Sequence, residues 1–232
     1  MKRVARHLKR LMKSLLGREL KYITGHNFPK ESFGSDYGGY ELITDGLDAD
    51  SIVYSFGVGE DASFDVALIE RFGLAVHAFD PTPKSIEWVK KQGFSDRFIM
   101  HEYGIADFDG TASFNPPENP DHVSHTLLGR PTTQDRAITV PVKRLCSIMK
   151  ALEHRRIDIL KLDVEGAEYA VIDDIQRSDV RPGQVLVEFH HRFPGMGVRK
   201  SNKAIAKLRR MGYGIFSVSA NKEEFCFAQR RS

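Results

Sequence analysis

Residues 53–62 read Val-Tyr-Ser-Phe-Gly-Val-Gly-Glu-Asp-Ala (VYSFGVGEDA), an apolar strand running into a glycine turn, which is where many α/β proteins bind a nucleotide. Gly57, Gly59 and Ala62 match the spacing G-x-G-x-x-G/A, and Asp80 lies 23 residues beyond Gly57, near where such folds place a ribose-binding acid. On spacing alone the chain reads as a dinucleotide-binding dehydrogenase. An isolated Gly-x-Gly also serves any tight strand-to-helix corner, so the rest of the chain must decide.

The charges in the turn favour a different ligand. A dinucleotide sets its pyrophosphate on the turn amides and the positive end of the helix dipole, yet Glu60 and Asp61 stand there. Each carboxylate–phosphate pair would repel by on the order of 1 kcal/mol even in high dielectric. A phosphate-free, positively charged nucleoside fits better. S-adenosylmethionine, with its sulfonium, ammonium and two free ribose hydroxyls, is such a molecule.

Composition bounds the alternatives. A chain of 232 residues, 41% hydrophobic and 28% charged, can bury a core as one soluble domain. Its two cysteines, Cys146 and Cys226, offer neither a disulfide framework nor a metal-ligand cluster, so a reduced, cytoplasmic protein is the expectation. No CxxC or HExxH zinc spacing occurs, and no apolar run approaches the ~20 residues of a membrane span. Residues 1–21 carry eight Lys and Arg against Glu19 alone, with Val4, Leu8, Leu11, Leu15, Met12 and Leu16 at helical spacing and Gly17 closing the pattern. This basic amphipathic arm reads either as a helix packed on the domain or as a peripheral contact with an anionic membrane. Its arginines also resemble a transit peptide. The remaining chain is net acidic and shows no interleaved basic and aromatic pattern, so nucleic acid is not an expected partner.

From Ser51 onward strand, turn and amphipathic helix alternate, the pattern of a mostly parallel sheet with helices on both faces. Strands are expected at Ser51–Phe56, Leu74–Asp80, Arg97–Glu102, Ala137–Val142, Ile157–Asp163, Gln184–His190, Tyr213–Val218 and Glu224–Gln229. Helices are expected at Ser63–Phe72, Pro83–Lys91, Leu145–Glu153, Ala167–Ile175 and Lys200–Met211. Ser219–Glu223 is short enough for a hairpin, which makes the last strand antiparallel. Tyr103–Arg136 breaks the alternation with Asp109-Gly110 and Asn115-Pro-Pro-Glu-Asn-Pro-Asp121, a long insertion suited to face substrate. Roughly seven sheet strands, with too little chain for a second substrate domain, favour a methyltransferase over a dehydrogenase.

The segments VYSFGVGEDASFD, VHAFDPTP, IDILKLDVEGAEYAVI and VLVEFHHRF resemble the FkbM-type family of S-adenosylmethionine-dependent methyltransferases, over about Tyr37 to Gln229. KLDVEGAE, Lys161 to Glu168, is the most specific piece. The resemblance implies the seven-stranded, Rossmann-like class I methyltransferase fold over residues 22–232 and O-methylation of a sugar, glycolipid or other polyhydroxylated small molecule. One departure is Arg144-Leu145-Cys146, where the family commonly reads Thr-Leu-Asp.

Carried onto this chain, Gly57 and Gly59 would let the backbone approach the methionine part of the cofactor. Glu60 or Asp61 would face its ammonium or sulfonium, Asp80 its ribose hydroxyls, and Ile105 and Ala106 the adenine edge. Asp163 would face the transferring methyl. Strand alternation and the following helix should keep Asp163, Glu165 and Glu168 from one point. Lys161, in a buried strand, should pair with Asp163. His190, on the same strand face as Glu188, is the favoured base over His191, with His122 and His125 weaker candidates. If a cation such as Mg2+ binds, Asp163, Glu165 and Glu188, with His190 nearby, are its donors. The rival reading is a non-catalytic or NAD-binding module that uses its basic arm on membranes.

Overall fold

The computed structural model describes Leu20, Tyr22, Thr24, residues 29–116, Thr126 and residues 134–229. The expected arm of residues 1–21, apart from Leu20, and the histidines His122 and His125 lie outside the described residues. Leu20 is fully buried and Tyr22 sits edge-on to Phe225, so the packed domain begins before the boundary expected at residue 22.

Two short strands, β1 (Glu31–Phe33) and β2 (Tyr40–Leu42), pair antiparallel. The first regular units then follow as β3 (Ile52–Phe56), α1 (Ser63–Phe72), β4 (Ala75–Phe79), α2 (Pro83–Gln92) and β5 (Phe98–His101). Gly73 stops α1 in the left-handed conformation and donates its N–H to Ile69 O, the usual glycine C-terminal cap. Pro83 opens α2 where its missing N–H costs nothing. The second half comprises α3 (Leu145–Ala151), β9 (Ile159–Leu162), α4 (Glu168–Ser178), β10 (Gln184–Glu188), α5 (Gly197–Arg210), β11 (Tyr213–Val218) and β12 (Glu224–Gln229).

Seven strands form the central sheet in the order β11-β12-β10-β9-β3-β4-β5. β5, β4, β3, β9 and β10 run parallel, and β12 is antiparallel to both of its neighbours. All four residues of β9 are buried, as a central strand covered on both faces requires. The two apolar layers on either side of the sheet are built around Leu160, Leu162 and Ile172 on one face and Val53, Leu68 and Val76 on the other.

The strand expected at Ala137–Val142 does not join this sheet. It is β8 (Ile138–Lys143), lying between β6 (Gly104–Ile105) and β7 (Gly110–Phe114) in a separate three-stranded sheet. Its burial alternates, with Val140 and Val142 inside and Thr139 and Pro141 outside, which suits a sheet covered on one face only. The insertion expected to be irregular therefore contributes two strands before residues 117–125, which lie outside the described residues.

Candidate active site

Successive strands run away from β3 toward β5, and the chain then returns to place β9 on the other side of β3. At such a switch point a crevice opens beyond the C-terminal strand ends. Here it is a cleft of about 870 Å³. One wall is apolar, with Phe56, Phe79, Pro81, Ile105 and Phe114. Nine acids also line the cleft: Asp36, Glu60, Asp61, Asp80, Asp163, Glu165, Glu188, Glu223 and Glu224. Among the described lining residues the only Lys or Arg is Lys161.

The glycine turn is held from three sides. Gly57 has φ +85°, and a Cβ there would lie 1.9 Å from Asp163 O, so glycine is required by the meeting of two strand ends before any ligand enters. This is a second reason for glycine there, beside the approach to the cofactor expected from the sequence. Lys161, 5% exposed, donates from Nζ to Gly57 O at 2.9 Å and lies 5.9 Å from the centre of the Tyr40 ring. Its expected ion pair with Asp163 is not formed, because the short span from β9 to Gly57 takes the ammonium to the turn instead.

Asp80, at the end of β4, provides the third support. Its Oδ2 accepts from Val58 N–H (3.1 Å) and Gly59 N–H (3.0 Å), and its Oδ1 from Thr82 N–H (2.9 Å) and Thr82 Oγ1 (2.7 Å). A carboxylate offers about four acceptor positions, and all are filled. Asp80 thus clamps the turn to the start of α2, a structural role beside the ribose contact expected of it. Glu60 pairs with Lys84 at 3.4 Å. Asp61 accepts from Ser35 Oγ (2.6 Å) and Ser63 N–H (2.8 Å). Burial opposes its charge, but Ser35, Ser63 and Lys161 keep its pKa below the ordinary value. Ile105 lines the cleft, whereas Ala106 packs with Val140 and Val142 in the small sheet and does not line it.

The turn after β9 brings the acids of KLDVEGAE to one imidazole. Glu165 (φ +49°) and Gly166 (φ +101°) are both left-handed, which breaks the strand's alternation and swings the chain back over its own end. His190 Nε2 lies 3.8 Å from Asp163 Oδ1, 3.5 Å from Glu165 Oε2 and 3.9 Å from Glu188 Oε1. Its Nδ1 lies 3.4 Å from Glu168 Oε1. Asp163 and Glu165 therefore approach one ring nitrogen and Glu168 the other, so the three acids surround one imidazole without sharing one point. Glu168, fully buried, also accepts from Gly166 N–H (2.8 Å) and His190 N–H (2.9 Å).

This arrangement changes the expected role of His190. Burial alone would lower its pKa, but Glu168, Glu165 and Asp163 outweigh burial and hold it up to about 10. The surrounding carboxylates thus favour the protonated ring and disfavour a free base. Glu188 is pushed up to about 9, first by burial and then by Asp163, with His190 partly offsetting them. His191 turns elsewhere, with Nδ1 at 3.0 Å from Phe189 O.

Two parts of the cleft escaped sequence reasoning. The hairpin between β11 and β12 adds Asn221, Glu223 and Glu224, and the loop between β1 and β2 adds Asp36, Tyr37 and Gly38. The run Gly34-Ser-Asp-Tyr-Gly-Gly39 was the available signal for the latter. Ser35 ties this loop to the glycine turn through Asp61 and Ser63, leaving Tyr37 86% exposed at the lip. The insertion also touches the site, since Thr126 Oγ1 donates to Glu165 O. Arg144, the departure from the family pattern, has a structural place: its guanidinium forks onto the buried Asp174, with Nη2 at 2.7 Å and Nε at 3.0 Å from Oδ1.

The sheet order, with β12 reversed and the cleft at the β3–β9 switch, defines a class I methyltransferase fold. The sequence model of the methyltransferase FkbM domain matches residues 51–215, and the chain belongs to that family. Among curated proteins it is 28% identical over 161 residues to the probable methyltransferase-like protein 24 of Homo sapiens, covering 67% of this chain and 37% of that protein. The Rattus norvegicus protein of the same name matches equally. The chain thus spans little more than a third of these relatives. Among solved structures, the methyltransferase FkbM of Methylobacillus flagellatus is similar at 15% identity and TM-score 0.48, over 78% of this chain and 43% of that one. Aeropyrum pernix fibrillarin, solved with natively bound S-adenosyl-L-methionine, is similar at 11% identity and TM-score 0.43, over 88% and 84%.

Proposed function

We propose that this protein binds S-adenosylmethionine in the cleft and transfers its methyl group to a hydroxyl of a neutral, polyhydroxylated acceptor such as a sugar. The observation that carries the reading is the cleft's charge. Nine acidic residues line it, and Lys161, its only described Lys or Arg, is spent on Gly57 O. Such a rim repels phosphates and favours a cation, which disfavours NAD as the ligand.

The residues fit the cofactor. Phe79, Pro81, Ile105 and Phe114 offer an apolar slot for a base, and Glu60 and Asp61 stand at the turn to face an ammonium. The volume is ample for cofactor and a small acceptor together. When bound, S-adenosylmethionine supplies a methyl group on a sulfonium that leaves as a neutral thioether. The protein's task is then to align an acceptor oxygen and take its proton. Asp163, lining the cleft with its side chain 31% exposed, is the carboxylate to which this reading gives that proton. His190 stands behind Asp163 and Glu165, with Nε2 at 3.8 and 3.5 Å from them. Exposed Tyr37 can stack on a sugar ring, and the carboxylates can accept from its hydroxyls.

The test is a tritiated-methyl transfer screen over glycans, glycolipids, polyols, peptides and RNA. Label on a glycan or polyol oxygen, lost in Asp163→Asn, is expected; label only on peptide or RNA would overturn the acceptor class.

A further inference from the structure

Asp163, Glu165 and His190 each bring one ligand atom to within 4.8 Å of the other two. We propose that these three side chains hold a single divalent cation of the Mn2+ kind at the floor of the cleft. Only the ion's role toward the acceptor rests on the function proposed above; its binding does not.

His190 supplies the independent observation. Its side chain is 7% exposed, and its Nδ1 has the 3.4 Å approach of Glu168 Oε1 but no hydrogen bond of good geometry. Nε2 points at Asp163 and Glu165 from 3.8 and 3.5 Å, beyond the ~2.7–3.2 Å of an N–H···O bond. Donors bound to one ion at about 2.0–2.2 Å stand roughly 3 Å apart when adjacent and about 4.2 Å apart when opposite, and the two separations from Nε2 fall between.

The support around the ligands has the same character. Metal-bound histidines are commonly oriented by a carboxylate at the other ring nitrogen. Glu168 stands there, 3.4 Å from Nδ1. It also accepts the backbone N–H groups of His190 and Gly166, so one buried side chain fixes both ligand-bearing turns. The donor set selects the ion. Two carboxylates alone suit Mg2+ or Ca2+, whereas an imidazole in the set shifts preference toward first-row metals, with Mn2+ compatible with both donor types. Because Asp163 and Glu165 line the cleft, the ion's remaining positions are open to an acceptor hydroxyl, which it would orient and acidify.

The metal-stripped full chain would be titrated with Mn2+, following heat and the electron paramagnetic signal of free Mn2+. One ion per chain is expected, with Mg2+ and Ca2+ at least tenfold weaker, and with affinity reduced at least tenfold in Glu165→Gln and His190→Ala. Circular dichroism checks that the variants fold; if His190→Ala does not, Glu165→Gln and Asp163→Asn carry the test. No stoichiometric uptake by the wild type, or several weak ions indifferent to every variant, would overturn the site. S-adenosylhomocysteine titrated into the same samples separates the two proposals: its binding without metal uptake sinks only the ion, and metal uptake without its binding sinks only the methyl-transfer reading.

Discussion

Lys161 shows how one residue can be legible in kind and misjudged in partner. A lysine inside a buried strand must be compensated, and the nearest acid in sequence is Asp163, but the ammonium bonds Gly57 O and lends its charge to Asp61 and Asp65. Replacing it with methionine keeps the volume and removes a charge-assisted bond together with that counter-charge. Lys161→Met should cost about 2 kcal/mol in urea denaturation; an unchanged midpoint would show that the bond does not support the turn. Asp80 follows the same logic. With four donors already on its carboxylate, Asp80→Ala should destabilise the ligand-free protein by about 1–3 kcal/mol and weaken cofactor binding as a consequence. Lost affinity at unchanged stability would return Asp80 to a direct role on ribose. The convergence on His190 was hidden because strand alternation says nothing about a chain that turns left-handed at Glu165 and Gly166.

At the scale of elements, the repeating strand–turn–helix pattern was readable because each strand is a buried apolar run and each helix has an apolar face. α1, β11 and β12 have the expected bounds, and the main sheet's other elements differ by a few residues at their ends. What could not be read is which sheet a half-buried strand joins: β8 alternates in burial and pairs with strands of the insertion. β1 and β2 are three residues each, too short to show a period. β4, the edge strand β5 and the segment after α3 set a histidine cluster beside β3. His77 Nδ1 lies 3.0 Å from His101 Nε2, and His154 Nδ1 lies 2.8 Å from Tyr54 OH. His77 is pushed down to about 4 by burial and then by His101 and His154, and burial lowers His101 and His154 as well. The folded protein therefore binds fewer protons here than the unfolded chain, whose histidines titrate near 6.5. The cluster's stability is present above about pH 6.5 and lost as pH falls toward 4. The rings are partly exposed, so solvent screening reduces the effect to on the order of 1 kcal/mol. His77→Phe should lose less melting temperature than the wild type between about pH 7.5 and about pH 5. An equal loss in both proteins would place the acid sensitivity elsewhere.

For the molecule as a whole, fold and charge point the same way. The sheet reverses at β3 and β9, the strand ends open a cleft there, and acidic residues from the glycine turn, the KLDVEGAE turn, β10 and two distant loops line it. The acids at 60, 61, 80, 163, 165 and 188 were legible because they follow strands; Asp36, Glu223 and Glu224 were not, because only tertiary packing carries their loops to the cleft. No helix among the described residues is long and apolar enough to cross a membrane. The central claim is that this acidic cleft selects a cationic, phosphate-free nucleoside over a dinucleotide. Parallel calorimetric titrations with S-adenosylmethionine, S-adenosylhomocysteine and NAD test it most directly. One site per chain is expected for both adenosyl ligands, with S-adenosylmethionine no weaker than its uncharged-sulfur product and no detectable heat of binding for NAD. Binding of NAD without binding of either adenosyl ligand would contradict it.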